Sequence, residues 1–391
     1  MKLLFIDQSG KLYGSEKGLL TLIKELNHQN SRFHHQLTVA CPYESTLWNE
    51  LSNLNLSLES MQFNLYTWKE RPDWHLNFIF QLIKIIKKCD PDAIVINFEG
   101  NVPQIVLACN LTRYPVIRML KREVRANNSG RLGYKIRLLD KLSFRRCSGV
   151  ICISGAVEKQ LKAALCNKDL PPIYTLFDPQ EVKTVSLDTI QIQRQNLGLK
   201  PHELLVGEFA RINPVKGIDL LIRAAPLVLR KVSEVRFVIA GDVDNATSRP
   251  CYLRDLKKLA KELGVSDRFI WTGFVEDPLS LMAACDIITL PTRAEGLGRV
   301  LIEAWSVNRP VVASQVDGPE EVISLSGGGL LHPVDDHEAL AAQLIKLLLN
   351  PEKRDALANM GRDWVFKNCS PQQYKNKFLE IVKACMSSKT H

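Results

Sequence analysis

RAEGLGRVLIEA, residues 293–304, places Glu295 and Glu303 eight positions apart around Gly296 and Gly298. The apolar residues just before it, up to Leu290, read as a short buried strand. The run after Gly298 reads as a helix from about Arg299 to Val307, stopped before Pro310. Strand, glycine turn and helix form the unit from which parallel α/β sheets are built. The N–H groups that open such a helix, reinforced by its macrodipole, suit a phosphate oxygen. Carboxylates repel phosphate, so the two glutamates need another task. A carboxylate accepting two hydrogen bonds suits the vicinal diol of a ribose or hexose. A phosphate cradle between two diol readers describes a nucleotide-sugar.

A second turn supplies positive charge. After an apolar strand ending at Phe209 comes ARINPVKGIDLL, with Arg211 and Lys216 five residues apart at the opening of the next helix. Arg offers a planar fork and Lys a point charge, a suitable pair for two phosphates. A departing diphosphate gathers negative charge, and fixed cations placed beforehand stabilise it. Either turn alone is also what an ordinary strand–helix connection with solvated charges looks like. Both occur in one domain, at equivalent strand ends.

The same rhythm runs through the chain. Strands are predicted at 2–6, 36–40, 93–97, 116–119 and 150–153, with helices near 15–28, 74–89, 130–146 and 155–165. A second set covers 204–209, 236–240, 269–271, 286–290 and 310–313, with helices near 216–231, 251–263, 278–284 and 299–307. Short buried strands alternating with amphipathic helices imply parallel βαβ units. A polar, proline-containing stretch at 178–188 separates the halves as a hinge. The reading is α/β: two Rossmann-like parallel-sheet domains, 1–180 and 188–367, facing an interdomain cleft. A last helix lies within 370–391. Ligands of such sheets bind beyond the carboxyl ends of the strands.

A chain of 391 residues with 46% apolar and 24% charged residues is globular. The first apolar run, Leu3–Ile6, is too short for a signal peptide, and ten scattered cysteines without a CxxC pair read as reduced thiols. The expected compartment is the cytoplasm. Net charge is +9, and residues 118–146 alone contribute ten Lys/Arg against Glu123 and Asp140. That stretch would attract anions or, as a basic amphipathic helix, dock on an anionic membrane surface. Its alternative is a solvated helix face with leucines turned to the core. No aromatic interleaving points to nucleic acid. The eight histidines are scattered, with His34 and His35 at a strand start and His332 on a surface turn. No metal-ligand cluster is evident.

Glu295-x7-Glu303 with Arg211-x4-Lys216-Gly217 resembles the signature of retaining glycosyltransferases of the GT-B fold, family 4 (glycosyl transferases group 1). WTGFVED at 271–277, CDIITLPTRAEGLGRVLIEAWSVNRPVVAS at 285–314, GPEEVI at 318–323 and GGGLLHPVDDHEALAAQLIKLL at 327–348 carry the same resemblance. It is strong over roughly 204–365 and looser over 1–180. It implies that Arg211 and Lys216 bind the donor diphosphate, that Glu303 holds the ribose and that Glu295 lies at the donor sugar. By that resemblance Glu295, Arg211 and Lys216 would form the catalytic set. Gly296, Leu297 and Gly298 would offer backbone N–H groups, with Arg299 counted in the donor-binding set. SGKLYGSEKGLLTLIKEL, residues 9–26, resembles the family's N-terminal glycine loop, in which Gly14 would approach the donor; Ser15 as a helix cap is the alternative. Ser154, in VICISGAV, reads as a helix cap.

The chain departs from the family in two places. PVIRMLKREVR at 115–125 lacks the histidine that many relatives place there, and Lys121, Arg122 and Arg125 become candidates for an acceptor or membrane contact. IYTLFD at 173–178 lacks the usual Asn-Gly. Asp242-Val243-Asp244 is formally a metal-binding DxD. With Arg211 and Lys216 in the cation's place, it reads as a loop, and metal-independent transfer without a cofactor is expected. The resemblance implies sugar transfer with retention from a nucleotide-diphosphate donor to a glycan or lipid-linked acceptor, in lipopolysaccharide or other cell-surface polysaccharide assembly, with no nucleic acid partner. The alternatives are a GT-B phosphorylase, a sugar-nucleotide epimerase, or a non-catalytic nucleotide- or nucleic-acid-binding protein.

Overall fold

The computed structural model describes residues 1–8, 14–27, 35–61, 72–97, 102–121, 124–125, 134–135, 138–165, 170–243 and 251–387. The chain divides into two compact units, Met1–Pro179 with Pro371–His391, and Gln180–Ser370.

The first unit contains β1 (Lys2–Ile6), β2 (Gln36–Cys41), β3 (Ser57–Ser60), β4 (Ala93–Ile96), β5 (Val116–Leu120), the two-residue strands β6 (Val124–Arg125) and β7 (Tyr134–Lys135), β8 (Gly149–Cys152) and β9 (Ile173–Thr175). Seven of them form one parallel sheet in the order β3-β2-β1-β4-β5-β8-β9, while β6 and β7 pair with each other. Both faces of the large sheet are covered, which is why its strands are apolar without alternation. Leu3 and Phe5 face the leucines of helix Gly14–Asn27, whereas Leu4 and Ile6 face helices Pro72–Cys89 and Val102–Thr112. The closing helix Pro371–Ser387 joins the first of these layers. Its Phe378 stacks on Phe5 with ring centroids 6.0 Å apart, and Lys375 donates to the carbonyl of Glu25 at 3.3 Å.

The second unit contains β10 (Leu204–Phe209), β11 (Val235–Ala240), β12 (Phe269–Gly273), β13 (Ile287–Leu290), β14 (Val311–Ser314) and β15 (Gly329–His332), parallel in the order β12-β11-β10-β13-β14-β15. This is the Rossmann strand order. Helices Ile218–Leu229, Tyr252–Glu262 and His337–Leu348 cover one face with Val206, Phe237 and Ile239.

Several elements differ from the sequence reading. Within the helix expected over 130–146, the described residues Leu138–Arg145 are helical, whereas Tyr134–Lys135 pairs as a strand with Val124–Arg125. Strands β3, β9 and β15 extend the sheets beyond those expected. Each is short, and SLES and GLLH lack the β-branched run that marks a buried strand. His332, expected on a surface turn, is 1% exposed at the end of β15. The stretch 178–188 is divided between the units. Asp178 is buried in the first unit, whereas Gln180 and Lys183 donate backbone N–H bonds to Cys369 at 2.8 Å and Ser306 at 2.9 Å in the second.

Truncating Phe378 to alanine should cost about 3–5 kcal/mol, seen as a lowered melting temperature by calorimetry. Phe366→Ala, at a site 69% exposed, should change stability by less than about 0.5 kcal/mol. Equal losses in the two variants would contradict the packing described for the closing helix.

Candidate active site

In the second unit the strand order reverses between β10 and β13, which pair directly from Val206–Ile287 to Glu208–Thr289. Connections leaving two such neighbours run to opposite faces of the sheet, and the space between them is the standard ligand crevice of this architecture. The turns that follow these two strands are the ones singled out by sequence.

The first turn is built around Asn213. Its Oδ1 accepts from the N–H of Val215 at 3.0 Å and caps the single 3-10 turn Pro214–Lys216. Gly217 ends that turn in the left-handed region at φ 75°, and a Cβ there would stand 1.9 Å from the carbonyl oxygen of Pro291. Only glycine satisfies both the conformation and the contact. The second turn closes on the first. The N–H of Arg293 donates to the carbonyl of Val215 at 2.7 Å, and Thr292 Oγ1 donates to the same oxygen at 3.0 Å. The Arg293 guanidinium reaches the Pro214 carbonyl at 2.5 Å, grips Asp219 bidentately at 2.9 and 2.7 Å, and donates from Nε to Asp335 at 2.6 Å. Those carboxylates, Asp219 foremost, push the guanidinium pKa further up, so its charge is permanent.

Across this seam Lys216 Nζ meets Glu295 Oε2 at 2.5 Å, with the two side chains 19% and 22% exposed. The cation expected at the diphosphate and the acid expected at the sugar therefore stand together. Arg211 is exposed where the chain leaves β10, on the same turn as Lys216. Gly296, Leu297 and Gly298 are buried, so Leu297 can offer a ligand nothing but backbone. Gly298, at φ 80°, starts helix Arg299–Ser306. One turn inside it, Glu303 accepts from Arg299 Nε at 3.0 Å, and Arg299 Nη2 donates to Gln180 Oε1 at 3.1 Å. Arg299 thus orients Glu303 and ties it to the linker.

Sequence reasoning missed the residues beneath the turns. Besides Asp219, Arg293 and Asp335, Glu208 on β10 is fully buried, and neither of its oxygens has a hydrogen-bond partner. Burial, with Asp219 adding to it, raises its pKa well above the ordinary 4.5, while Lys216 and Arg293 oppose the shift. It is held neutral. A glutamate inside the otherwise apolar LLVGEF was the visible signal.

In the first unit the order reverses between β1 and β4. There Asn97 Nδ2 donates to Asp7 Oδ2 at 2.6 Å, both residues being buried. Gly14 is the first residue of its helix, so Ser15 lies within the helix and not at its cap, while Ser154 Oγ does cap helix Gly155–Leu165 through Val157 N at 3.2 Å. Lys121, expected at an acceptor or membrane, is instead paired with Asp178, and the two side chains are 8% and 1% exposed. Arg122 and the side chain of Arg125 lie outside the described residues, as does Asp244 of the DxD. Asp242 accepts from the N–H of Phe274 at 3.2 Å. Among the described residues no group of three or more His, Cys, Asp or Glu could hold a metal ion, and no helix is long and apolar enough to cross a membrane.

Glu208→Gln tests the neutral carboxyl. Because its folded pKa is raised, stability is fully present below the unfolded value near 4.5 and falls as pH rises toward the folded value. Relative to the variant, the wild type should therefore lose melting temperature progressively from about pH 4.5 upward. A wild type that instead gains melting temperature relative to the variant as pH rises would show an ionised, stabilised Glu208.

Two family models match, "Glycosyl transferases group 1" over residues 189–364 and "Glycosyltransferase Family 4" over 13–181. Among curated proteins, the chain is 34% identical over 168 residues to alpha-D-kanosaminyltransferase of Streptomyces kanamyceticus, covering 42% of this chain and 41% of that one. It is 30% identical over 232 residues to D-inositol 3-phosphate glycosyltransferase of Saccharomonospora viridis, covering 54% and 53%. The chain thus spans about half the length of the curated relatives it matches. Among solved structures, Anabaena HepE in complex with UDP-glucose superposes with a TM-score of 0.82 at 22% identity, over 98% of this chain and 100% of that one. WaaG, a glycosyltransferase involved in lipopolysaccharide biosynthesis, gives 0.70 at 18%, over 97% and 99%. With one family model on each half and a pair of doubly wound sheets shared with GT-B structures, the chain belongs to the family 4 glycosyltransferases of GT-B fold.

Proposed function

We propose that the protein moves a hexose-type sugar, with retention of configuration, from a nucleotide-diphosphate donor to a glycan or lipid-linked acceptor in cell-surface polysaccharide assembly. The observation that carries this reading is the Lys216–Glu295 pair at the strand-order reversal. On donor binding, the diphosphate takes over the Lys216 ammonium with help from Arg211. Glu295 is thereby released to accept from the sugar hydroxyls, and Glu303, already oriented by Arg299, accepts from the ribose diol. The backbone at Gly296–Gly298 and the start of the following helix face the phosphate oxygens. As the bond to the sugar lengthens, charge grows on the diphosphate, where Lys216 and Arg211 stabilise it. The acceptor hydroxyl attacks on the face the diphosphate leaves, and a donor phosphate oxygen takes its proton. Glu295 then acts as a ligand of the sugar and forms no covalent bond to it.

HepE has been solved with UDP and with UDP-glucose, which supports a nucleotide-sugar donor for this chain. The WaaG resemblance and the name of a phosphatidylinositol monomannoside mannosyltransferase among the relatives support a lipid-linked or lipopolysaccharide acceptor. Transfer is proposed to need no metal, because the two side-chain cations occupy its electrostatic role.

A thermal-shift panel of UDP-, GDP- and ADP-sugars tests the donor. At about 100 times its dissociation constant, the right one should stabilise the protein by about 2.7 kcal/mol. Lys216→Ala and Glu303→Ala should each reduce that shift. Free nucleotide diphosphate should appear only with acceptor present, and transfer should persist in excess EDTA. A panel without any shift would sink the proposal; acceptor-independent turnover would favour an epimerase or phosphorylase.

A further inference from the structure

Lys216 and Glu295 stand on separate turns, 79 positions apart in the chain, and a donor that bridges them is sensitive to their spacing. Three bonds fasten the Lys216 turn to the Glu295 turn at its carbonyls: two end on Val215 and one on Pro214. Arg293 supplies two of the three. Its remaining reach goes to Asp219, in the first turn of the helix that follows Lys216, and to Asp335, just ahead of helix His337–Leu348. One guanidinium therefore links the segments that follow β10, β13 and β15. Its Nε, Nη1 and Nη2 are all engaged by protein oxygens.

We propose that Arg293 is a positioning residue for the donor. By fixing the Lys216 turn against the Glu295 turn it sets the affinity for the diphosphate, without itself touching the ligand. This inference rests on the donor reading given above. Lysine cannot replace it, since a single ammonium cannot serve Asp219 bidentately and also reach Pro214 and Asp335. Without the guanidinium, Asp219 would sit beside the buried Glu208 with, among the described residues, Tyr252 Oη at 3.5 Å to donate to it. The turn would then move toward solvent, carrying Lys216 with it.

The test measures binding of UDP and of inorganic pyrophosphate by titration calorimetry to wild type, Arg293→Lys, Arg293→Ala and Asp335→Asn. Arg293→Lys should weaken both probes by about tenfold or more, at a melting temperature close to that of the wild type. Asp335→Asn removes only the charge of a carboxylate that is 58% exposed and leaves an amide oxygen able to accept from Nε, so the variant should fold, with a smaller loss of affinity in the same direction. Added guanidinium should restore part of the binding to Arg293→Ala and none to the wild type. If the wild type binds and both Arg293→Lys and Asp335→Asn bind within about twofold of it, this inference falls and the donor reading stands. If Arg293→Lys does not fold, Asp335→Asn decides alone. A wild type that binds neither probe, nor any sugar of the thermal-shift panel, removes the donor reading and this inference together.

Discussion

The seam between the β10 and β13 turns is the constraint on which the second unit's chemistry depends. A parallel sheet wound in both directions sends the connections from its two central strands to opposite faces, which tends to leave their ends apart. Here the turns are drawn back together by Gly217 against Pro291, by two bonds to the Val215 carbonyl and by the Arg293 guanidinium. Each of these acts on backbone. The geometry that results is fixed by main-chain positions, and the functional side chains Lys216 and Glu295 inherit it.

The charges on this seam are layered. Lys216 with Glu295 is partly exposed, and Arg293 with Asp219 and Asp335 lies alongside. The neutral carboxyl of Glu208 is enclosed below. Partly exposed ion pairs of this kind contribute little to stability. They do matter for specificity, since a cation already matched by a carboxylate is available only to an anion able to compete with it. The Arg299–Glu303 pair applies the same logic one helical turn further on.

The second unit was the more legible in sequence. Its strands are apolar runs cut by glycine turns, and the spacing of Arg211, Lys216, Glu295 and Glu303 marked the two turns that the structure brings into contact. What escaped notice was long-range. Nothing local to Arg293 reveals a partner at 219 or 335, because such pairing is decided by how the strands are ordered and not by neighbours in the chain. In the first unit the leucines within 130–146 suggested a long helix, yet the strand pair Val124–Arg125 with Tyr134–Lys135 claims part of that segment. Lys121 was legible as a cation but not as a buried one, since Asp178 lies 57 residues away. Edge strands such as SLES carry too little apolar surface to stand out.

The helix Pro371–Ser387 packs on Leu3, Phe5 and the helix Gly14–Asn27, so the first unit is made from both ends of the described chain while the second is one continuous segment inserted into it. On the ribosome, residues 180–370 can therefore complete their core as soon as they emerge. Residues 1–179 must wait, with the face destined for Phe378 uncovered, until the helix Pro371–Ser387 has been synthesised. Contacts that span such a separation form slowly, which leaves β1 and the helix beside it open to misassociation during biosynthesis until Phe378 arrives.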